Sequence, residues 1–457
     1  MSTAVIIEDS GANAEFHHTS IARLPRPIPK ANEVLLKIGA VSLNHREIWI
    51  LRKQFAGIVL GSVLGSDGVG RIEQLQDEAS RFKAGDRVVI MPSEGWISDS
   101  RGPEVESEYI LRGGCRSQGV FSQYFTVNQA DIFKAPAHLT DVEAAALPLA
   151  GLTAYRALFT KGQVVKGRNL LITGIGGGVA LFTLQFAVAI GANVYVTSSD
   201  ESKIERAIQL GAKGGANYRQ VNWVQQILQQ TKGVQFDVVI DSANGSGAPI
   251  ILSHLLARGG ALVTYGQTAG GFHLDKAFFL RNIDIRGSTM GSRVEFERML
   301  RFVEEHQIQP VVSQVWDGLE NIPEAILQMR KGVQFGKLVV TQQESSSRTD
   351  ASVKCHKAKL VQVPRPVPKT GEAVVKIEAL ALNHRELWII EDNYQKIEFG
   401  SILGSDSVGR IVELNGESSK LKVGDRVLIM PSNGWISNTR GPELEGNYAI
   451  RGGSKSQ

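Results

Sequence analysis

The sequence predicts a doubly wound parallel α/β domain preceded by a mostly-β domain, with an incomplete second copy of that β domain after it. Three observations carry this prediction. Apolar runs alternate with helical patterns from Asn169 onward, as strands fed by crossover helices do. A glycine-rich turn, Thr173-Gly174-Ile175-Gly176-Gly177-Gly178, lies between the first such run and a long apolar helical pattern. Residues 17–118 align without a gap on residues 356–457, at a constant offset of 339 positions.

In the α/β part, the strand-like runs are residues 170–173, 193–197, 236–241, 261–265 and 283–286. Helical patterns fill residues 180–190, 201–210, 223–230 and 250–256. Upstream, residues 33–38 and 87–91 read as strands bounded by Gly, Pro and Asp turns, so the first 130 or so residues form a β unit. Thr140-Asp141-Val142-Glu143 has capping-box spacing and opens a helix, and Ser292 to Glu295 caps another. Gly336-Lys337-Leu338-Val339-Val340 reads as a closing strand. The expected division is a β domain over 1–131, the α/β domain over 132–286, a return segment over 287–342, a Ser-rich linker over 343–355 and the repeat over 356–457.

In the repeat, Asn44-His45-Arg46-Glu47 recurs as Asn383-His384-Arg385-Glu386, and Gly85-Asp86-Arg87-Val88 recurs as Gly424-Asp425-Arg426-Val427. Roughly half of the aligned positions are identical, which marks a duplicated domain-sized piece and not a solenoid period. The first copy runs on into a strand pattern at residues 120–127 that has no partner in the second, so the second copy is expected to lack at least one strand. Its apolar Val427, Leu428 and Ile429 are expected to be buried, and no independent activity is expected of it.

Composition narrows the function classes. A charged fraction of 21% with a net charge of only +4 argues against a dedicated nucleic-acid or membrane surface. Two cysteines, Cys115 and Cys355, support neither a disulfide framework nor a thiolate metal site. Residues 170–199 carry no charge and are long enough to span a bilayer, yet five glycines break them into strand, turn, buried helix and strand. No secretory signal is visible at the start, and a reduced, cytoplasmic setting is expected.

Glycines in a strand-to-helix turn let backbone approach a pyrophosphate at a helix N-terminus. A ligand-free tight turn would use the same residues, but the flanking strand and helix favour a dinucleotide. After the second strand pattern come Ser198 and Ser199, with Lys203 close behind, where an NAD enzyme typically places an acid against the ribose. Two hydroxyls and a cation suit a 2′-phosphate, so NADPH is expected ahead of NADH. Asp200, two residues late, keeps NADH open.

Gly65-Ser66-Asp67, Gly85-Asp86-Arg87-Val88 and Leu149-Ala150-Gly151-Leu152-Thr153-Ala154-Tyr155, in that order ahead of the glycine turn, resemble the medium-chain dehydrogenase/reductase family over residues 1–342. The likeness is to its zinc-independent, quinone oxidoreductase-like members. It implies a GroES-like β domain, a Rossmann domain, an active site in the cleft between them and a homodimer. Zinc-dependent members bind catalytic zinc through positions that fall here on Asn44, Ser66 and Leu149, and leucine coordinates nothing. The four-cysteine structural zinc lobe, expected over residues 92–118, contains Cys115 alone. The resemblance therefore implies an enzyme without zinc, moving hydride from NADPH to a quinone, enone or related small-molecule acceptor.

The same resemblance assigns candidate residues. Asn44 would donate to the acceptor oxygen, His45 would supply a proton, and Trp49 would wall the cleft. Gly174, Gly177 and Gly178 would meet the pyrophosphate, and Ser198, Ser199, Lys203 and Tyr218 would surround the 2′-phosphate. Asp241 and Gly266 lie on the carboxyl edge of the sheet, and Thr153 is placed toward the nicotinamide. Two other readings stay open: a non-catalytic relative that binds a nucleotide or partner, and an alcohol dehydrogenase with the atypical ligands His45, Asp67 and Cys115.

Overall fold

The computed structural model describes residues 1–342 except 12–13, 77–79, 246 and 275. In the C-terminal copy it describes residues 363–381, 402, 406–416, 421–429 and the short strands Ser432–Asn433 and Ala449–Ile450. The expected linker and the repeated Asn383-His384-Arg385-Glu386 motif lie outside the described residues. The chain divides into two compact units, Met1–Glu344 and Ser345–Gln457.

Within the first unit, a six-stranded parallel sheet runs Gly214–Asn217, Asn193–Ser198, Asn169–Ile172, Phe236–Asp241, Leu256–Thr264, Asp284–Gly287 across its width. Chain order reverses at Asn169–Ile172, the switch point where open α/β sheets bind ligands. Leu170, Leu171 and Ile172 are wholly buried, and helix Gly178–Ala189 is apolar on nearly every face because it packs between the sheet and its neighbours. That double burial explains the uncharged stretch at 170–199. Among the described residues no helix is long and apolar enough to cross a membrane. The strand Gly214–Asn217 has no apolar run to announce it, and Asp284–Gly287 ends one residue beyond the expected 283–286.

The second sheet positions the site. Strand Glu33–Ser42 pairs antiparallel with Asp67–Leu75, with Ser42 opposite Asp67. On its other edge it pairs with Tyr124–Asn128 at one end and with the returning strand Lys337–Thr341 at the other, where Val339 faces Ser42. Ser42 is thus the rung that brings Asp67 and the start of the returning strand together. Val312–Asp317, Arg87–Ile90 and Ile132–Lys134 complete the sheet. The strand expected over 120–127 forms only at Tyr124–Asn128, since Val120 and Phe121 turn inward as buried loop residues.

Residues 45–51 form a short helix, His45–Leu51. Asn44 is its extended N-cap, and the Glu47 carboxylate accepts the Asn44 backbone N–H at 2.6 Å. This is the reciprocal half of a capping box, written with Asn where Ser or Thr is usual. The boxes at Thr140 and Ser292 form as the spacing predicts, on helices Asp141–Ala146 and Arg293–Glu305.

In the C-terminal unit, strands Ala373–Ala381, Asp406–Leu414 and Arg426–Ile429 form a sheet with the register of their counterparts, down to the two irregularities in the first strand. Burial does not follow. Leu428 is 84% exposed, whereas its counterpart Val89 is 0% exposed beneath the helix Asp141–Ala146. The expectation that Val427, Leu428 and Ile429 form a core is therefore corrected. Among the described residues, no fourth strand joins this sheet.

Candidate active site

The glycine turn connects the wholly buried strand Asn169–Ile172 to helix Gly178–Ala189. Gly174 and Gly176 hold φ values of +63° and +124°, which side chains rarely adopt. Gly177 caps the helix, and a Cβ there would meet open space. The backbone is thus shaped to let an anion reach the first N–H groups of the helix. The turn floors a cavity of about 690 Å³, whose wall includes Ser198, Ser199, Lys203, Tyr218 and Asp241.

Lys203 reaches over the turn: a Cβ on Gly176 would lie 3.0 Å from its Cδ, and its Nζ donates to the Gly332 carbonyl at 3.1 Å. Partial burial holds its pKa below the usual lysine range. Asp200, which kept NADH open, does not line the cavity; it caps helix Glu201–Gln209, accepting the Ser202 N–H at 2.9 Å and its hydroxyl at 2.7 Å. Ser198 Oγ accepts the Asp200 N–H at 3.2 Å.

The other cofactor candidates divide. Asp241 lines the cavity, but both its oxygens are engaged, one by the Thr173 hydroxyl and the other by the Asn244 N–H. Gly266 accepts from Asn244 through its carbonyl and supports that turn from behind. Gly178 does not line the cavity; a Cβ there would lie 2.7 Å from Lys337 Cδ and 3.3 Å from Ala150, so the glycine serves close packing. Thr153 is buried, with its hydroxyl donating to the Leu149 carbonyl at 2.8 Å.

Asn44, Ser66 and Leu149, where the resemblance would place a catalytic zinc, do converge, around a lysine. Lys337 is 4% exposed. Its Nζ donates to the Leu43 carbonyl at 2.7 Å, to Asn44 Oδ1 at 2.5 Å and to Asp67 Oδ2 at 3.3 Å. Asn44 Nδ2 points to Ser66 Oγ at 3.4 Å, and Ser66 donates to Asp67 Oδ1 at 3.2 Å. The Leu149 N–H donates to that same oxygen at 3.1 Å. A lysine can only donate, so it fixes the Asn44 amide with oxygen toward Nζ and nitrogen toward Ser66. Asn44 is engaged at both ends of its amide: its oxygen accepts from Lys337, and its Nδ2 is turned toward Ser66 and the Asp67 carboxylate.

Beside this group, Arg46 donates to Glu47 at 3.2 Å and to the Arg112 and Gly113 carbonyls at 2.8 Å each. Two buried cations therefore face two buried carboxylates. Burial pushes the Lys337 ammonium pKa down and the Asp67 and Glu47 carboxyls up, drawing their proton affinities together. Sequence reasoning missed Lys337. The only local signal was one charge at the head of an apolar strand.

His45 reaches the cavity wall. Burial, aided by the Arg52 cation, lowers its pKa, so the neutral imidazole prevails at pH 7 and protonated His45 is not the ready proton source expected. Trp49 does not line the cavity; its ring stands edge-on to His45 with centroids 5.6 Å apart. The alternative ligand set His45, Asp67 and Cys115 is not assembled. Asp67 is taken by Lys337, and Cys115 is a buried thiol whose Sγ lies 3.7 Å from the Ala56 carbonyl. Among the described residues, no group of three His, Cys, Asp or Glu is placed to hold a metal.

The lobe where structural zinc was sought is organised by a carboxylate. Glu104 accepts the N–H groups of Ile97, Ser98 and Asp99 at 2.8, 2.6 and 2.9 Å. These bonds favour its charged form and hold its pKa at about 2 against an ordinary 4.5. A depressed carboxyl pKa means the stabilisation is present above pH 4.5 and is lost as pH falls through about 2. Glu104→Gln is expected to speed amide hydrogen exchange at Ile97, Ser98 and Asp99 several-fold relative to wild type at the same neutral pH.

Residues 178–305 match the family model described as zinc-binding dehydrogenase. Residues 30–137, and again 369–453, match that of the alcohol dehydrogenase GroES-like domain. The zinc-type alcohol dehydrogenase-like protein YogA of Leptosphaeria maculans is 39% identical over 332 residues, spanning 69% of this chain and 92% of that protein. Human quinone oxidoreductase is 30% identical over 242 residues, or 53% of this chain and 66% of that protein. A crystal structure of an NAD-dependent alcohol dehydrogenase superposes with a TM-score of 0.66 at 30% identity, covering 75% of this chain and 100% of that one.

Proposed function

Since the chain belongs to the medium-chain dehydrogenase/reductase family and is an oxidoreductase of that kind, we propose that it is an NADPH-dependent, zinc-independent reductase of quinones, enones or related carbonyl acceptors. The observation that carries this reading is the Lys337 ammonium at the convergence of positions 44, 66 and 149. Zinc does not fit there. Leu149 offers only its backbone N–H, Asn44 Oδ1 is bonded to a cation, and that cation repels another.

A nicotinamide dinucleotide does fit. The positive-φ turn at Gly174 and Gly176 and the open face of Gly177 leave room for a pyrophosphate. Ser198, Ser199, Lys203 and Tyr218 share one cavity wall. When bound, NADPH would supply the hydride. The chain's own residues bind, orient and exclude water. Lys203 and the two serines offer a cation and hydroxyls to a 2′-phosphate. Lys337 fixes the orientation of the Asn44 amide, whose Nδ2, now turned to Ser66, would donate to an oxygen gaining negative charge. The Lys337–Asp67 ion pair lies next to that amide.

Lys203→Ala is expected to raise KM for NADPH about tenfold, as befits loss of a charge-assisted contact, with little change for NADH. Ser199→Glu is expected to reverse the preference by placing an acid against the phosphate. Steady-state kinetics with both cofactors across a panel of quinones, enones and aldehydes check both. Equal loss with either cofactor in the Lys203 variant would remove the 2′-phosphate reading.

A further inference from the structure

We propose that Glu378 decides which of the two copies the rest of the fold accepts, by barring the C-terminal copy from the place held by residues 17–118. The two copies present one sheet register, so strand pairing alone does not discriminate between them. One of the positions that differ is 39 and its counterpart, on the first strand. In the first copy it is Gly39, and a Cβ there would already lie 3.0 Å from Asp141 Oδ2. Asp141 opens the helix Asp141–Ala146, which covers the sheet, and it is anchored by Arg87 Nε at 2.7 Å.

In the C-terminal copy the glycine is replaced by Glu378, and the counterpart of Arg87 is Arg426. Glu378 takes over the role of Asp141: its carboxylate accepts from Arg426 Nε at 3.2 Å and from Arg410 Nε at 2.9 Å. This has two consequences. The arginines are neutralised within the copy, without the helix. Docking Asp141–Ala146 on this sheet would set a second carboxylate against the first, in competition for one guanidinium, at a position where a Cβ alone lies 3.0 Å from Asp141 Oδ2. The helix can therefore cover the strand with glycine and not the strand with glutamate. Two segments in one chain that share about half of their residues and one sheet register otherwise invite exchange, within a chain or between two chains. One charged side chain removes that ambiguity.

The test uses disulfide reporters in the full chain. Val34 and Val127 are cross-strand partners, and Ala373 is the counterpart of Val34. The chain is refolded from denaturant under oxidising conditions, and bonds are identified by mass spectrometry. V34C/V127C is expected to form its bond, and V127C/A373C to stay at the background of V127C alone. Adding Glu378→Gly to V127C/A373C is expected to raise the 127–373 bond at least about tenfold, the response to a bias of about 1.4 kcal/mol. Adding Gly39→Glu as well should make it the dominant species. Bonding of 127 to 373 with Glu378 in place overturns the proposal, as does absence of any rise with Glu378→Gly. Should the doubly exchanged chain not refold, the single Glu378→Gly variant, which leaves the first copy untouched, still decides.

Discussion

Lys337→Met is expected to lower folding stability by about 3–5 kcal/mol, the cost of leaving a buried carboxylate without its cation, and to cut kcat by about tenfold to a hundredfold. Asp67 is 0% exposed, so its charge has no solvent to replace the ammonium. The activity loss has a separate origin. Without Nζ the Asn44 oxygen loses its partner, and only the longer contact to Ser66 is left to orient the amide. The Lys337→Met/Asp67→Leu double variant is expected to regain most of the stability, because no unpaired charge remains, and little of the activity. Denaturant unfolding with kinetics on the same samples checks both. Stability falling further in the double variant would show that the pair is not what holds this part of the cleft.

Gly176→Val is expected to raise the Kd for NADPH at least about a hundredfold, from about 1–3 kcal/mol of backbone strain compounded by crowding. Gly176 holds φ +124°, and any Cβ on it sits 3.0 Å from Lys203 Cδ, so the substitution also displaces the cation over the turn. Gly177→Ala is the contrast. Its φ is −76° and its Cβ would meet nothing, so affinity is expected to change by less than about tenfold. Isothermal titration of the two variants separates a turn that needs glycine for its backbone from one merely rich in it. Equal loss in both would favour a general disruption of the loop.

The parts of the fold that local pattern encodes were legible. The β-α alternation, the glycine turn and the capping spacings at Thr140 and Ser292 each depend on residues within a few positions of one another, and each has its expected structure. The gene-scale repeat was legible for the same reason, since alignment needs no contact. What escaped depends on contacts far apart in the chain. Lys337 meets Asn44 and Asp67 across 293 and 270 residues, and no periodicity within the closing strand says which way its one charge turns.

Other misreadings follow the same physics. The helix that Asn44 starts runs only seven residues, too few for an apolar period to announce it. Asp200 looked like a ribose ligand, yet a short acid one residue before a helix is as well suited to its N–H groups. Leu428 kept an apolar identity and not its burial, because burial belongs to the partner that covers a strand. In the first copy that partner is a helix from a distant segment.

The most direct measurement is NADPH oxidation with an enone or quinone acceptor by the full chain after exhaustive chelation, run beside an NADH arm. Turnover is expected to survive chelation, with kcat/KM for NADPH exceeding that for NADH by about tenfold or more, the equivalent of about 1.4 kcal/mol at the 2′-phosphate wall. Turnover that vanishes on chelation and returns with zinc, or a preference for NADH, would contradict the assignment of the cleft to Lys337 and of the cavity wall to a phosphate.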